Sequence, residues 1–153
     1  MAKTRWLSDE QQQAWRRLAA VSMLLPAALE SQLQRDADLT QFGYWVMAMH
    51  SESPDRAVRM SELAARSNGS QSRLSHLIAR LEERGWVRRE RADADGRGYL
   101  AVLTDAGYDK VVETAPGHVE EVQPLVFDAL TPQQVGQLDE ICAAILPRLT
   151  PGC

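Results

Sequence analysis

Cysteine is scarce in this chain: its 153 residues hold two, Cys142 within a helical pattern and Cys153 at the last position. Two thiols exclude a disulfide framework and a four-ligand zinc site. Neither has a basic neighbour in sequence that would favour thiolate. Cys142 is therefore expected as a buried helix residue and Cys153 as a frayed end. Histidine is as sparse. His50, His76 and His118 lie far apart, with no close His/Cys/Asp pair on one helix turn, so no metal site is expected. No apolar run approaches the roughly 20 residues that span a bilayer, which predicts no membrane partner. The opening MAKTRWLSDEQQQ lacks a hydrophobic signal core, and a cytoplasmic location is expected from it. Repeats and low-complexity tracts are missing. So are a glycine-rich phosphate loop, a nucleophile elbow and a His-Glu zinc motif. Neither an enzyme nor a cofactor is expected.

What is present is an ordinary globular composition, 44% hydrophobic and 25% charged, at a length suited to one domain with helical extensions. The net charge is −4, yet the charge is unevenly placed. Residues 56–97 carry ten Arg against six Asp/Glu, while the remainder carries seven Lys/Arg against fifteen Asp/Glu. An acidic protein that gathers its positive charge in one segment is built to dock a polyanion there.

The periodicities divide the chain into arms and a central module. Ser8, Asp9, Glu10 and Gln11 form a capping box at the start of a first helix, with Trp15, Leu18, Leu25 and Leu29 near helical spacing. Pro26 is expected to kink or break it. A second helix runs from about Thr40 to His50, apolar on several sides. Ser61 is expected to cap a short helix, Glu62 to Arg66. Asn68-Gly69 makes a turn and Ser70 caps the next helix, whose Leu74, Leu77, Ile78 and Leu81 fall at i, i+3, i+4 and i+7. Gly85 suits the position just past its end. Two strands follow, Trp86 to Arg91 and Tyr99 to Leu103, around a hairpin signal at Asp95-Gly96. Thr104 caps a further helix that Pro116-Gly117 and Pro124 are expected to break or bend. Thr131-Pro132 starts a last helix with the stripe Val135, Leu138, Ile141, Ile145 and Leu149. The expected fold is mainly α (α+β): a winged helix-turn-helix lobe over residues 56–103, within a single domain over 1–153. Its helical arms, 8–50 and 104–149, have apolar stripes and no core of their own, which predicts a homodimer.

A helix, a turn, a second helix and a charged wing form a shape that reads double-stranded DNA. Opposite the buried leucines lie Ser72, His76, Ala79 and Glu83, flanked by Arg73 and Arg80. Such a helix enters the major groove by its N-terminal end, so Gln71, Ser72, Arg73, Ser75 and His76 are the candidate readers. Ser70, with the helix N-terminus, can receive a phosphate. Glu82 and Glu83 are expected to point away or to pair with Arg. On the wing, Arg89 and Arg91 lie on the outgoing strand, and Arg97 sits near the tip, placed for the minor groove. Asp95 is placed to hold the turn or the guanidinium of Arg97. A winged module that binds protein instead of DNA would show no such arginine excess.

Ser61-Glu-Leu-Ala64, the helix from Ser70 to Leu81 with Leu-Glu-Glu-Arg-Gly85, Asp95-Gly-Arg97 and Leu103-Thr-Asp-Ala-Gly107 resemble the winged-helix core of the multiple-antibiotic-resistance regulator (MarR) family. The wing Asp-x-Arg, followed at this distance by Leu-Thr-x-x-Gly, is the most specific part. Here the wing is short and flanked by Gly96 and Gly98. The resemblance covers nearly the whole chain. It implies a homodimer with intertwined terminal helices on a pseudo-palindromic operator, most often as a repressor. It also implies that small, often phenolic or aromatic, molecules modulate binding where the arms meet the lobe. Trp15, Arg16, Tyr44, Trp45 and His50 are the residues whose aromatic bodies and polar tips suit such an effector.

Overall fold

The computed structural model describes residues 4–66, 71–92 and 98–149. The expected turn at Asn68-Gly69, the cap Ser70, the wing-tip residues Asp95 and Arg97, and Cys153 lie outside them. In chain order the elements are α1 (Asp9–Ala37), α2 (Gln41–Glu52), β1 (Ala57–Arg59), α3 (Met60–Arg66), α4 (Gln71–Glu83), β2 (Val87–Arg91), β3 (Tyr99–Leu103), α5 (Asp105–Leu125) and α6 (Pro132–Leu149). Single 3-10 turns sit at Pro54–Arg56 and Phe127–Ala129. The fold is mainly α with one small sheet, a winged helix-turn-helix carrying long helices before and after it.

The capping box at Ser8 forms as the sequence predicts: the Gln11 amide donates to Ser8 Oγ and the Ser8 amide to Gln11 Oε1. The prolines behave differently from expectation. α1 runs through Pro26, and α5 runs through Pro116 and Pro124, each as one continuous helix. A proline removes the bond to the carbonyl four residues back and crowds it. Here those carbonyls belong to Ser22, Val112 and Glu120, which like the three prolines are solvent-exposed residues, so the cost of the lost bond falls on the surface and not in the core.

Two boundaries and one strand also differ. α3 already includes Met60, so Ser61 lies inside the helix and does not cap it. Trp86 precedes β2, because its amide is spent closing the helix before it. A third strand, β1, pairs antiparallel with β3 in the order β1-β3-β2, with Val58 opposite Ala101. Three residues are too few for an alternating pattern to show; the pairing partner holds them. β2 pairs with β3 from Val87↔Leu103 to Arg91↔Tyr99.

The core lies where the end of α1, α2, α3, α4 and the sheet converge: Leu33, Val46, Met47, Leu63, Leu74 and Ile78 are almost fully buried. The four leucine and isoleucine positions read from α4 are all buried, as their spacing requires. His50 is buried among them, its ring Nδ1 2.7 Å from the Val46 carbonyl oxygen. By contrast α6 buries no residue, and Cys142, expected inside, is exposed.

One junction ties the lobe together. α4 ends in a left-handed Gly85 (φ 72°), with the Gly85 amide donating to Glu82 O (2.9 Å) and the Trp86 amide to Leu81 O (3.0 Å). The chain leaving β3 returns to the same place. The Thr104 amide donates to Trp86 O (3.0 Å), its hydroxyl donates to Gly85 O (2.6 Å), and the same oxygen accepts from the Gly107 amide (3.0 Å). A Cβ on Gly107 would stand 2.1 Å from Trp86 O, closer than any side chain tolerates.

Gly107→Ala is therefore expected to destabilise the protein by more than about 2 kcal/mol, because backbone must move to admit the methyl group. Urea denaturation at fixed protein concentration checks this, and a loss below 0.5 kcal/mol, about the scatter of a neutral surface change, would contradict it. A second expectation concerns acid. Burial pushes His50 below its ordinary value, only partly opposed by hydrogen bonds to backbone, and burial pushes His118 the same way. Folded, these rings hold protons more weakly than unfolded, so their contribution is complete above about pH 6.5 and is lost as pH falls through the folded values. One such ring can contribute a slope of at most about 1.4 kcal/mol per pH unit. Urea midpoints between pH 7.5 and 5.5 should fall, and His50→Gln should flatten the dependence; equal slopes in the two proteins would refute the assignment.

Candidate nucleic-acid interface

α4 is amphipathic in a way that sorts its residues without ambiguity. Leu74, Leu77, Ile78 and Leu81 are buried, while Gln71, Ser72, Arg73, Ser75, His76 and Arg80 are exposed, and Ala79 is half-buried. The candidate readers thus share the outward side of one rigid helix. Ser70, Asp95 and Arg97 lie outside the described residues.

The two arginines of α4 have a common setting. With Phe42, Leu77 and Glu30 they line a cleft of about 390 Å³ between α4, the start of α2 and α1. The Arg73 guanidinium stands over the Phe42 ring, 4.8 Å from its centroid. On the other side of α4, Gln71, Ser75 and Arg89 line a groove of about 260 Å³ together with Ser61 and Tyr99. Of its polar lining residues, Ser61 and Tyr99 were not singled out by the sequence as contacts. Tyr99 could have been found: it opens β3 directly opposite Arg91, on the exposed end of the hairpin.

The wing arginines are not equivalent. Arg89 is braced on α4, its Nε 3.2 Å from Glu82 Oε2 and its Nη2 donating to Ser75 O (3.4 Å), while its amide donates to Glu82 Oε1 (3.1 Å). Glu82 therefore pairs with an arginine, one of the two outcomes its position allowed, and Glu83 is exposed. Arg88 pairs with Glu90 at 2.6 Å. Arg91 is exposed at the end of β2.

The five candidate effector residues do not meet in one cavity. Trp15 and Arg16 line a shallow recess with Trp6, Leu7 and Gln12 on the first turns of α1. Tyr44 is buried on α2, its ring 4.7 Å from that of His118 on α5, and burial, with Glu52 nearby, raises its pKa. His50 belongs to the core. Trp45 stacks on Phe42, centroids 6.4 Å apart and planes within 14°. Among the described residues no three His, Cys, Asp or Glu side chains are grouped to hold a metal ion, and no helix is long and apolar enough to cross a membrane.

Comparison with known proteins agrees with this architecture. The sequence model of the MarR family matches residues 44–98, from within α2 to the residue before β3. A MarR family transcriptional regulator of Streptomyces coelicolor, Sco3205, solved in complex with DNA, is 46% identical, with 98% of this chain and 94% of that one covered at a TM-score of 0.89. AbsC, a MarR family transcriptional regulator of the same organism, is 41% identical over 95% of this chain and 98% of its own, with a TM-score of 0.85. The transcriptional repressor MprA of Escherichia coli is 28% identical over 95 residues, 62% of this chain and 53% of that protein, so the chain spans about half the length of this curated relative. Near-complete coverage at 46% identity, on the same winged-helix frame, places the chain in the MarR family of transcriptional regulators.

Proposed function

We propose that the chain is a homodimeric, sequence-specific DNA-binding regulator, a repressor, that grips a pseudo-palindromic operator through α4 and the wing and is released by a small aromatic or phenolic ligand. The observation that carries the DNA reading is the outward side of α4, where Gln71, Ser72, Arg73, Ser75, His76 and Arg80 stand exposed on a helix fixed by four buried leucine and isoleucine side chains. Glutamine suits adenine, and arginine suits guanine or phosphate. Ser70 at the helix start, Arg89 and Arg91 on β2, and Asp95 and Arg97 at the wing complete the proposed contacts. Arg97 reaches for the minor groove and Asp95 serves the turn. The complex of the 46% identical relative with DNA supports this use of the frame. No role as an enzyme is proposed.

The homodimer is supported by what the single chain leaves uncovered. α6 buries nothing, and its Val135, Leu138, Ile141, Ile145 and Leu149 are all exposed. Val21, Met23 and Leu24 on α1 and Val119 on α5 are exposed as well. An 18-residue helix that buries none of its residues is marginal in water. Apolar surface of this extent marks an interface, and the arms of a second copy offer a matching one. In this arrangement residues 8–50 and 104–149 are dimerisation arms, and 56–103 is the DNA-binding lobe. Two recognition helices are then set roughly 34 Å apart, one turn of DNA. The ligand reading rests on lining chemistry: Trp15 and Arg16 beside Trp6 on the arm, and the aromatic residues Tyr44 and Trp45 with His50 where α2 meets the lobe.

Ile141→Asp places a charge on the exposed stripe without disturbing the single chain's own packing. It is expected to yield a helical monomer by sedimentation and circular dichroism, with operator affinity sharply reduced; a variant that still sediments as a dimer removes α6 from the interface. Arg97→Ala should weaken binding to a duplex from the chain's own upstream region by about 1–3 kcal/mol in gel shifts, with the fold intact. Unchanged affinity for every duplex would show that the wing does not contact DNA.

A further inference from the structure

We propose that Phe42, on α2 and outside the helix-turn-helix and wing, is a positioning residue for the DNA-reading arginine Arg73. The inference rests on the reading of Arg73 as a DNA contact given above. The Arg73 guanidinium lies 4.8 Å from the Phe42 ring centroid, inside the range of about 6 Å over which a cation is attracted to a ring face. Phe42 is itself firmly seated. It is the second residue of α2, whose first turn is fixed by the Thr40 hydroxyl accepting from the Gly43 amide (2.9 Å). The Gln41 amide donates to a carboxylate oxygen of Glu30, which pins the same turn to α1. Trp45, one turn later, stacks against the ring from α2 itself. A Cβ on Gly43 would stand 3.4 Å from Leu77 Cδ1, so α2 and α4 approach closely one turn beyond Arg73. The ring is therefore a shelf of fixed position relative to α4.

The chemistry of guanidinium explains why the shelf assists binding. Stacking on an aromatic ring engages the face of the planar cation, whereas hydrogen bonds to guanine or phosphate leave from its edge. The two interactions are compatible in one conformation. A free arginine loses the freedom of several rotatable bonds when it docks; one already lying on a ring loses less. Phe42 thus contributes to affinity, and to preference at whichever base Arg73 reads, without touching DNA.

The test selects duplexes from a random-sequence library with wild-type protein, Phe42→Leu, Phe42→Tyr, Arg73→Ala and Phe42→Leu/Arg73→Ala, and measures each protein's affinity for the wild-type winner at one salt concentration. Phe42→Leu is expected to bind about two- to fivefold more weakly and to relax preference at the same base as Arg73→Ala. It should add no further loss in the Arg73→Ala background, and Phe42→Tyr, which keeps the ring, should match wild type. Urea midpoints report folding, and Phe42→Met supplies a second ring-free variant. Wild-type affinity in both ring-free variants, full additivity with Arg73→Ala, or a Phe42→Tyr as weak as Phe42→Leu would overturn the proposal. If Arg73→Ala binds as wild type, Arg73 is no reader, and the role of Phe42 falls while the regulator reading stands. If wild-type protein enriches no sequence, the sequence-specific reading itself fails with it.

Discussion

The lobe depends on the clasp at residues 85–86 and 104–107. Two chain segments that are distant in sequence must end at one point: the C-terminus of α4 and the N-terminus of α5. Gly85 turns the chain out of α4 in a conformation only glycine adopts freely, and Trp86 presents its carbonyl outward. Thr104 bonds to both residues and caps α5 with the same hydroxyl oxygen. Gly107 has no side chain because Trp86 O occupies the space one would need. The hairpin of β2 and β3 springs from this point, so its register against α4 is set by four residues. The Leu-Thr-x-x-Gly signature is thus the imprint of a backbone contact, and α5, which leads into the C-terminal arm, starts at a fixed angle to α4.

The concentration of arginine in residues 56–97 has two physical uses, and sequence alone merged them. Arg56 pairs with Asp105 at 3.0 Å and lies 3.8 Å over the Tyr108 ring, fastening β1 to α5. Arg66 pairs with Glu62 one turn away, and Arg84 with Asp38 at the end of α1. Arg88 and Arg89 are matched to Glu90 and Glu82. At least five of the ten arginines are thus matched to carboxylates within the fold, in exposed or half-exposed pairs each worth at most about 1 kcal/mol. Such pairs orient more than they stabilise. Their effect is to leave the outward side of α4 carrying Arg73 and Arg80, while Glu82, where α4 meets β2, is paired with Arg89.

The legible parts of the sequence were those where one local rule decides the outcome. Leu74 to Leu81, the caps at Ser8 and Thr104, and Gly85 each follow from spacing or from a single unsatisfied backbone group. The misread parts were decided by surroundings. Pro26, Pro116 and Pro124 break helices when the orphaned carbonyl is buried, and sequence does not say that Ser22, Val112 and Glu120 face water. β1 exists because β3 offers it an edge. The candidate readers sit close together because they come from two adjacent turns of one helix, whereas Trp15, Arg16, Tyr44, Trp45 and His50, drawn from two helices, were grouped by chemical type, and type fixes no distance.

The way α4 is held bears on how the arms and the reading surface communicate. At its C-terminal end Arg84 bonds to both the backbone and the carboxylate of Asp38, the residue that caps α1, and its guanidinium lies 4.9 Å over the Trp86 ring. At its N-terminal end Arg73 rests on Phe42 of α2, whose first turn is bonded to Glu30 of α1. Between them Leu77 packs against Gly43. The helix is therefore fastened to the arm at both ends and at its middle, over 13 residues. Contacts at three points along its length couple the orientation of this helix to that of α1 and α2. In the proposed dimer, a change in how two sets of arms sit against each other would then alter the spacing of the two α4 helices. On that reading the arm, more than the lobe itself, is where a small ligand would act on binding.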